Sequence, residues 1–588
     1  MAAEKWIDAG TLTELKDTRS KLIRGGIAVF YEEGEVYAID NRCPHMGFPL
    51  QAGSLCDGML TCHWHHARFD ACSGGTLDPW ADDVPVYEIK REQDRIFVSS
   101  VPKSKKSTEK HLQRLRDGLE QNLSIVIAKS IVALMQAGVD VKEIAAEGIA
   151  FGTTYRSSGW SSGLTILTAM VNIAPKLDHY NKILALYHGL RSVASDCAGS
   201  APRFLLQPLP DANLPASRLI AWYRQCIEVR DAQGAGRVLQ TAIQQGMEPN
   251  DISRMMMAAV TDHFYLDGGH TLDFHNKAFE SLQHVQEQHV ERVLTSLVPM
   301  LRNPSRMEES HSWQHPIDLV RPVKEAFAKL EHDESKLRFD AAAGELDAEQ
   351  GQAFVQQILS DKPLDTIQQL TEQLLNGVSP TALAKLLTLA AGERIARFHT
   401  QNDFSDWDAV LHTFTHAHAV HESLRRESNR YTVRALYHTA VSIYLDRFLN
   451  IPAAKQPDPS YYKEQGYSLN HDELLDMMNQ RQQVVESANW VSHYVDEDGD
   501  MDALFNTLAH CLLREDGQFH TYQMLEAALI EYDRWKDDAS PFAQQARATI
   551  LLALTRYLAA HAPTSREIPH VAWIAWRLQH GEELFEEE

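Results

Sequence analysis

The chain has no long uncharged apolar run and no leader-like start. The longest apolar run, residues 124–138, is interrupted by Lys129 and falls short of the roughly 18 residues that a membrane-spanning helix needs. Residues 1–6 lack the basic and apolar stretches of a secretory signal peptide. We therefore expect neither a membrane span nor export.

Positive charge is also scarce. The 588 residues include 56 lysines and arginines against 80 aspartates and glutamates, a formal net charge of -24 at pH 7. Such a surface repels nucleic-acid phosphates and anionic lipids, so we expect no nucleic acid and no membrane among the partners. An acidic surface does suit docking to a basic protein.

Two regions of different character follow each other along the chain. Residues 1–101 contain short runs that alternate apolar and polar residues, separated by glycine-bearing turns, which predicts a small antiparallel β-domain. Residues 102–109 form a basic, polar linker. Beyond it, apolar residues recur at helical spacing. The predicted fold class is therefore multidomain, with a small all-β domain followed by a large all-α region.

Short repeated segments predict an internal duplication of the helical region. Four short segments recur in the same order at a nearly constant separation: residues 134–139 match 373–378, 185–188 match 435–438, 203–205 match 447–449, and 267–271 match 516–521 with one insertion. Chance matches would scatter. We therefore predict two copies of one helical domain, residues 110–330 and 365–588, joined by a polar linker at 331–364. A repeat this long indicates a domain duplication and not a solenoid.

The strongest motif is a Cys and His pair on each of two segments. Cys43-Pro-His45 is followed sixteen residues later by Cys62-His-Trp-His65. Two such segments can hold a 2Fe-2S cluster from both sides, with two thiolates on one iron and two imidazoles on the other. Two Cys and two His would also suit a zinc ribbon, although zinc ligands more often follow Cys-x-x-Cys spacing.

The residues around these ligands resemble those of the Rieske ferredoxin family. The resemblance covers residues 1–101 and rests on Gly47, residues 62–70, Gly74-Gly75, residues 77–79 and residues 84–87. It implies a Rieske 2Fe-2S domain whose cofactor-binding and metal-ligating residues are Cys43, His45, Cys62 and His65. It also implies that the ring edges of both ligand histidines lie near the surface, as the path for electrons, and that the adjacent His63 and His66 are surface residues.

The resemblance further implies the low-potential, ferredoxin or oxygenase subtype. High-potential members carry a loop disulfide and hydroxyl groups that donate to the cluster. Here Phe48 stands at one disulfide position, and Ala67 and Phe69 stand at the two hydroxyl positions. Fewer hydrogen bonds to the sulfurs destabilise the reduced cluster and lower its potential. With two of the seven cysteines committed to iron, an odd number remains, which favours reduced thiols and a cytoplasmic location.

Histidines that recur in both copies predict a second site in the helical region. The candidates are the pairs His188 with His438, His263 with His510, and His270 with His520, accompanied by Asp267 and its counterpart Asp516. Two copies packed about a pseudo-twofold axis would bring such groups together, as helix bundles do in metal sites. The alternative is that these are packed, hydrogen-bonded histidines and turn-capping aspartates.

Two other patterns could place iron in this region. Asp262, Asp267, His270 and His275 have the Asp-x-x-His-x4-His spacing, preceded by an acid, that resembles the mononuclear iron site of Rieske oxygenases, although Gly268-Gly269 would break the helix that carries such ligands. Residues 308–311 give the Glu-x-x-His of carboxylate-bridged di-iron bundles, but without the second copy that such a site needs.

Residues 407–426 form a predicted helix that is dense in histidine. At 100° per residue, His418 and His421 fall within its apolar stripe, and His412 and His416 lie on the opposite face. We therefore predict that the first two are interior and packed, whereas the second two are exposed.

These patterns predict an oxidoreductase in which a Rieske cluster passes single electrons to a site, with an additional metal or without one, in the duplicated helical domain. The alternative is a non-catalytic electron-transfer subunit whose helical domain docks a separate redox enzyme. The sequence lacks a glycine-rich phosphate loop, a dinucleotide fingerprint and a Gly-x-Ser-x-Gly elbow. Electrons must therefore come from or leave to a redox partner protein, a reductase, an oxygenase or a hydrogenase-like enzyme. Homo-oligomer formation stays open.

Overall fold

The computed structural model describes residues 5–103, 107–210, 213–340, 343–457, 464, 468–582 and 584. The chain forms two compact units, Met1–Asp140 with His570–Glu588, and Val141–Pro569. Residues 104–106 of the predicted linker lie outside the described residues. The two units are defined by packing contacts, whereas the predicted domain ranges rest on repeated sequence segments. The predicted ranges and the duplication therefore stay predictions.

Nine short strands build the β-part of the first unit among the described residues. They are Trp6–Thr11 (β1), Ser20–Ile23 (β2), Ile27–Glu32 (β3), Glu35–Asp40 (β4), Ser54–Cys56 (β5), Met59–Thr61 (β6), Arg68–Asp70 (β7), Tyr87–Glu92 (β8) and Arg95–Pro102 (β9). They pair antiparallel in three three-stranded sheets of order β1-β9-β8, β2-β3-β4 and β5-β6-β7.

Strand β3 separates two small cores. Side chains alternate between the faces of a strand, so Ala28 and Phe30 enter one core and Ile27 and Val29 enter the other. The first of these cores also contains the candidate ligand Cys43. The β-domain predicted from alternating residues is thus confirmed, and one of its two cores supports the ligand loops.

The helices account for most of the chain after the sheets. In chain order they are Leu12–Thr18 (α1), Thr108–Glu120 (α2), Ser124–Gln136 (α3), Val141–Tyr155 (α4), Ser162–Ile173 (α5), His179–Cys197 (α6), Ala216–Glu228 (α7), Ala232–Gln244 (α8), Pro249–Thr261 (α9), His270–Ser281 (α10), Val290–Thr295 (α11), His311–Gln314 (α12), Val320–His332 (α13), Ala348–Leu359 (α14), Pro363–Leu375 (α15), Pro380–Ala396 (α16), Phe404–Arg426 (α17), Arg434–Asp446 (α18), His471–Met477 (α19), Val484–Asp496 (α20), Met501–Leu513 (α21), Phe519–Asp533 (α22), Pro541–His561 (α23) and Glu567–Gln579 (α24). The predicted fold class, a small β-domain followed by a large all-helical region, is confirmed.

Helices from the start of the helical region join the β-sheets in the first unit. Arg114 of α2 donates to the Asp82 carboxylate at 3.0 Å and to the carbonyl of Ala81 at 3.0 Å. Lys110, one turn earlier, pairs with Asp83 at 2.5 Å. These contacts attach α2 to the loop between β7 and β8, so the β-sheets and the first helices of the helical region form one packed body.

Four helices form a ring in the second unit. α5 packs against α10 and α22, and α17 packs against the same two helices and also against α16 and α18. Because neighbours surround α17, buried residues occur on all sides of it. This packing determines where its histidines lie.

The structure bears on two predictions made from composition, the polar linker and the missing membrane span. The stretch 331–364, predicted as a polar linker, contains α14, which buries Phe354, Val355 and Ile358, and is therefore not a bare connection. Among the described residues, none of the helices combines the length and the low charge content that crossing a lipid bilayer requires.

Candidate functional site

The four candidate cluster ligands lie on two loops with the same backbone pattern. In the loop after β4, the N–H of Cys43 donates to the carbonyl of Phe48 at 2.9 Å, and the N–H of Gly47 donates back to the Cys43 carbonyl at 2.7 Å. In the loop between β6 and β7, Cys62 and His66 repeat both bonds, at 2.8 Å to the Ala67 carbonyl and at 3.1 Å. Each loop therefore presents its Cys and His from a matched turn.

Both turns depend on a residue in the left-handed region. Gly47 has φ of 80° and His66 has φ of 61° at the equivalent positions. Glycine adopts this conformation without a steric penalty, whereas histidine does so at some cost. The Gly47 noted in the sequence thus has a backbone role in the first ligand loop.

The two sulfurs and the two imidazoles form separate pairs. Cys43 and Cys62 are buried, and a hydrogen bond between their side chains lowers the pKa of Cys62 and raises the pKa of Cys43. The rings of His45 and His65 lie 4.7 Å apart between centroids. Side chains paired in this way fit an iron pair that takes sulfur on one side and nitrogen on the other.

Two observations bear on whether these residues fit the cluster. The buried Nδ1 atom of His45 has no hydrogen-bond partner among the described residues. Buried polar atoms are normally hydrogen-bonded, so a lone pair left in this way is suited to binding a metal. Among the described residues, the metal-capable groups whose donor atoms all lie within 4.8 Å of one another do not include these four. A single zinc ion would need four donor atoms within such a distance of one another. The spacing of the two Cys and two His side chains therefore fits a 2Fe-2S cluster better than a zinc ion.

The surroundings of the two histidines differ. Lys129 of α3 donates to the His45 carbonyl at 2.7 Å and also to the carbonyl of Pro44, and the Trp80 ring contacts His45 at 4.6 Å between centroids. Burial and the Lys129 charge lower the pKa of His45 to about 4, so its imidazole is neutral. His65 is exposed and lies against Trp64. The expectation of surface ring edges is confirmed for His65, and His45 is half-buried.

A cleft of about 370 Å³ lies beside the first ligand loop. Its lining includes Cys43, Gly47 and Lys129, and also Leu578 of α24. Arg42 donates to the carbonyl of Glu582 at 2.9 Å. Helices α3 and α24 therefore cover the side of the cluster loops that carries His45 and leave the side that carries His65 open.

A third segment supports the ligand loops from the other side. The Asp78 carboxylate accepts from the backbone and from the guanidinium group of Arg68, at 2.8 and 2.9 Å. Gly74 has φ of 78°, and a Cβ atom there would lie 2.0 Å from the carbonyl oxygen of Val84. A side chain at residue 74 would therefore collide with the backbone, which explains the glycine in the sequence motif.

With this geometry established, the chain matches the family described as Rieske [2Fe-2S] domain over residues 5–88. A ferredoxin component of a naphthalene 1,2-dioxygenase system from Pseudomonas aeruginosa is 36% identical over 99 residues, which are 16% of this chain and 95% of the relative. A ferredoxin component of a 2,4-dinitrotoluene dioxygenase system from Burkholderia sp. (strain RASC) is 33% identical over 100 residues, 16% of this chain and 96% of the relative. The chain belongs to the Rieske [2Fe-2S] family through this N-terminal domain, and it carries a Rieske 2Fe-2S cluster.

Among solved structures, a complex of reduced oxygenase and oxidized ferredoxin in carbazole 1,9a-dioxygenase shares 20% identity and covers 17% of this chain and 97% of the matched chain, with a TM-score of 0.16. The relatives of the domain are named as ferredoxin components, which supports an electron-transfer role.

One of the three predicted histidine pairs in the helical region is brought together. His270 and His520 stack with ring centroids 5.5 Å apart, and His412 contacts both, at 4.6 and 4.5 Å. His412 and His416 were both predicted to be exposed. In the structure His412 is half-buried and His416 is only 1% exposed, so both predictions were wrong. Both were misplaced because the stripe argument assumed a helix with one solvent face, whereas α17 has neighbours on all sides.

The other two predicted histidine pairs, His188 with His438 and His263 with His510, share no contact among those that the structure gives for them. His188 lies between the Leu513 carbonyl at 2.9 Å and the Tyr522 hydroxyl at 2.8 Å, whereas His438 packs against the Phe264 ring. His263 pairs with Glu308 at 2.7 Å, and His510 hydrogen-bonds to Asn181 at 2.8 Å. The structure therefore gives each of these four histidines its own hydrogen-bonding or ring contacts and does not join them into shared sites.

The repeated aspartates anchor loops. Asp267 accepts from the backbone N–H of Ser305 at 2.7 Å. Asp516 accepts from the N–H groups of Glu567 at 2.9 Å and Ile568 at 2.7 Å. Both carboxylates therefore hold a distant backbone segment, and these bonds differ from the predicted capping of their own Asp-Gly turns.

The mononuclear iron pattern is not assembled. The Asp262 carboxylate pairs with Arg224 at 2.6 Å and Arg434 at 2.7 Å. His275 is buried, with its Nδ1 atom bonded to the Thr271 carbonyl at 2.6 Å. In the described parts of the chain, the group that contains His270 includes none of the other residues of that pattern. The Glu308 of the Glu-x-x-His pattern is held by His263, as above.

A buried ionic network lies between α10, α17 and α22. The Lys277 ammonium group lies 2.9 Å from Glu280 and 2.5 Å from Glu526, and His418 pairs with Glu531 at 2.7 Å. The interior position predicted for His418, and likewise for His421, is confirmed. Glu280, His418 and Glu526 have metal-capable spacing, but the Lys277 ammonium group already pairs with both carboxylates.

Proposed function

We propose that this protein carries single electrons through a Rieske cluster in which Cys43 and Cys62 hold one iron and His45 and His65 hold the other. The observation that carries the proposal is the pairing of two buried thiols on one side with two imidazoles on the other. The cluster supplies a one-electron couple. The chain's own residues hold it, exclude water from its sulfur side and leave one imidazole at the surface.

We infer that electrons enter or leave at His65. Helix α3 and Trp80 cover His45, whereas His65 is exposed beside Trp64, a side chain that is 40% exposed. The partner would be a separate redox protein, and the relatives' role as ferredoxin components of dioxygenase systems favours an oxygenase over a reductase or a hydrogenase-like enzyme. The exposed Cys56 and Cys72 are free thiols, which is compatible with the reducing cytoplasm predicted from the sequence.

A second version of this function keeps the electron within the chain. The three-histidine group of α10, α17 and α22 favours an acceptor site in the helical region, fed by the Rieske cluster. Single-turnover kinetics separate the two versions, since a chain with its own acceptor should reoxidise its reduced cluster without a partner, whereas a carrier should hold its electron until a partner is added.

A stopped-flow experiment tests whether the protein carries single electrons and whether they leave at His65. The dithionite-reduced protein should transfer one electron per chain to oxidised cytochrome c, at a rate that falls with added salt because the donor is acidic and the acceptor basic. Trp64→Ala should slow this transfer severalfold. Trp6→Ala is the matched control, since Trp6 is 41% exposed on strand β1. A Trp64 variant with an intact cluster and an unchanged rate would contradict exit at His65.

A further inference from the structure

Three histidines from three helices converge in the second unit. His270 begins α10, His520 lies in the first turn of α22 and His412 lies within α17. One ring nitrogen of each lies within 4.8 Å of the other two, and the Nε2 atoms of His412 and His520 are 2.8 Å apart. We propose that His270, His412 and His520 bind a divalent first-row transition-metal ion.

The chemistry of the three side chains suits such an ion. The three imidazoles present ring nitrogens that all lie within 4.8 Å of one another, and imidazole nitrogen is a ligand that binds zinc, iron, nickel and copper. With metal–nitrogen bonds of about 2.0–2.1 Å, the nitrogens would stand roughly 3.3 Å apart. The 2.8 Å pair therefore needs to open by only about half an ångström.

The group leaves room for a further ligand. Three imidazoles are the protein ligands of many catalytic metal sites, in which water or substrate takes the next position. His270, His412 and His520 are all partly exposed, so solvent reaches the site. A small oxygen-donor ligand, water or an anion, is the class of molecule that would fill the open position.

Asp408 is a positioning residue for this site. Its Oδ2 atom lies 3.8 Å from the Nδ1 atom of His520, and the Tyr557 hydroxyl donates to Oδ1 at 2.7 Å. At 3.8 Å this contact is longer than a hydrogen bond, so Asp408 acts on His520 through its negative charge, which favours a proton on Nδ1 and leaves Nε2 for the metal. The Tyr557 hydroxyl in turn orients Asp408.

The Gly-Gly step noted in the sequence positions His270. Gly269 has φ of 96°, and a Cβ atom there would lie 3.1 Å from the Cβ of His416. The start of α10 therefore approaches α17 closely, which only a glycine permits. This approach brings His270 beside His412.

The inference goes beyond the electron-carrier role and does not depend on it. The experiment uses the full chain with its iron-sulfur cluster, loaded with about one equivalent of Co²⁺ and dialysed against metal-free buffer. Elemental analysis then counts cobalt and iron separately. Cobalt K-edge absorption identifies the ligands of the added metal without interference from the cluster iron.

The wild-type protein should retain about one cobalt per chain, with imidazole scattering in its absorption spectrum. His412→Gln and His520→Gln should each weaken cobalt binding by at least ~100-fold, and Asp408→Asn by less, at most roughly 10-fold. The control is the double variant His311→Gln/His315→Gln, which removes an exposed pair with rings 4.7 Å apart. It should bind cobalt as the wild type does.

Three results would overturn the proposal. They are cobalt retention by the wild type no higher than in His412→Gln, bound cobalt without imidazole ligands, and a loss of cobalt in the His311/His315 control equal to that in the site variants. The wild-type absorption spectrum decides even if a variant fails to fold. Loss of the Rieske signal with cobalt binding intact would instead contradict the electron-carrier proposal alone.

Discussion

The Nζ atom of Lys129 lies 2.7 Å from the carbonyl oxygen of His45 and donates a hydrogen bond to it. A cation on a helix of the helical region is thereby held against the backbone of a candidate cluster ligand. Its charge favours the reduced, more negative state of the cluster. The helical region is in this way part of the electrostatic environment of the Rieske site.

Replacing Lys129 should lower the reduction potential. With an effective dielectric constant of about 20 and a separation of roughly 8 Å, one charge contributes about 2 kcal/mol, or about 90 mV for one electron. The Asp82 carboxylate, 3.9 Å from the ammonium group, reduces this effect. We expect a decrease of a few tens of millivolts in Lys129→Met, measured by redox titration monitored by EPR.

Lys110→Met is the control for this titration. Lys110 pairs with Asp83 in the same unit, but its side chain is 46% exposed, against 11% for Lys129, so its removal should change the potential much less. A higher potential in Lys129→Met, or equal shifts in both variants, would show that the contact does not tune the cluster.

Restoring a hydroxyl at residue 67 or 69 should raise the potential. Ala67 and Phe69 are both fully buried next to the ligand loop, where a Ser or Tyr hydroxyl could donate to a cluster or ligand sulfur. One hydrogen bond of about 1–2 kcal/mol corresponds to about 40–90 mV. The wild type should lie near the low end of the Rieske range, about -150 mV, with Ala67→Ser and Phe69→Tyr above it. A clearly positive wild-type potential would refute the low-potential assignment.

The stability of the second unit should fall as the pH rises. Although burial alone would lower the pKa of His418, its hydrogen bond to Glu531 and the Glu526 charge raise it to about 9. The folded pKa therefore exceeds the unfolded value of 6.5, so the stabilisation is complete below pH 6.5 and is lost as the pH rises through about 9. The loss amounts to about 3 kcal/mol.

Urea unfolding followed by circular dichroism between pH 6 and pH 10 measures this dependence. His418→Gln should reduce the loss between pH 7 and pH 9, above the range in which Asp273 and Asp446, with pKa values raised to about 7 by burial, contribute. His311→Gln, at an exposed position, should keep the full dependence. A wild-type transition whose midpoint stays constant across this range would contradict the charged state assigned to His418.

Lys277→Met should destabilise the second unit strongly. The variant leaves Glu280 and Glu526 without their cation in the interior, which typically costs about 3–5 kcal/mol. Lys336→Met is the control, because its pair with Asp333 is exposed and should contribute less than about 1 kcal/mol. Thermal unfolding compares the two, and similar melting temperatures for both variants would contradict the role of the buried network.

Local spacing made the cluster site predictable. Cys43, His45, Cys62 and His65 lie within two short loops, so their separations in sequence already fix which side chains can meet. Gly47 and Gly74 were visible as motif residues, and their positive φ values explain them. The contact of Lys129 with this site was not predictable, because it joins segments more than 80 residues apart.

The helical region was harder to predict for a physical reason. The pairing of His270 with His520 followed from the repeated segments at 267–271 and 516–521. His412 was missed because a single-stripe analysis gives a central helix a solvent face, and only the packing of other helices around α17 shows otherwise. Asp267 was expected near a metal, but its short side chain caps the Ser305 turn instead. This contact spans 38 residues, so the aspartate-glycine repeat did not predict it.

The EPR spectrum of the dithionite-reduced protein, with iron counted per chain, tests the central claim most directly. A 2Fe-2S pair with thiolates on one iron and imidazoles on the other should give an anisotropic spectrum with a low average g value and two irons per chain. His45→Ser should abolish that spectrum and the visible colour. A reduced protein without this spectrum, or a His45→Ser variant of unchanged colour, would contradict the account.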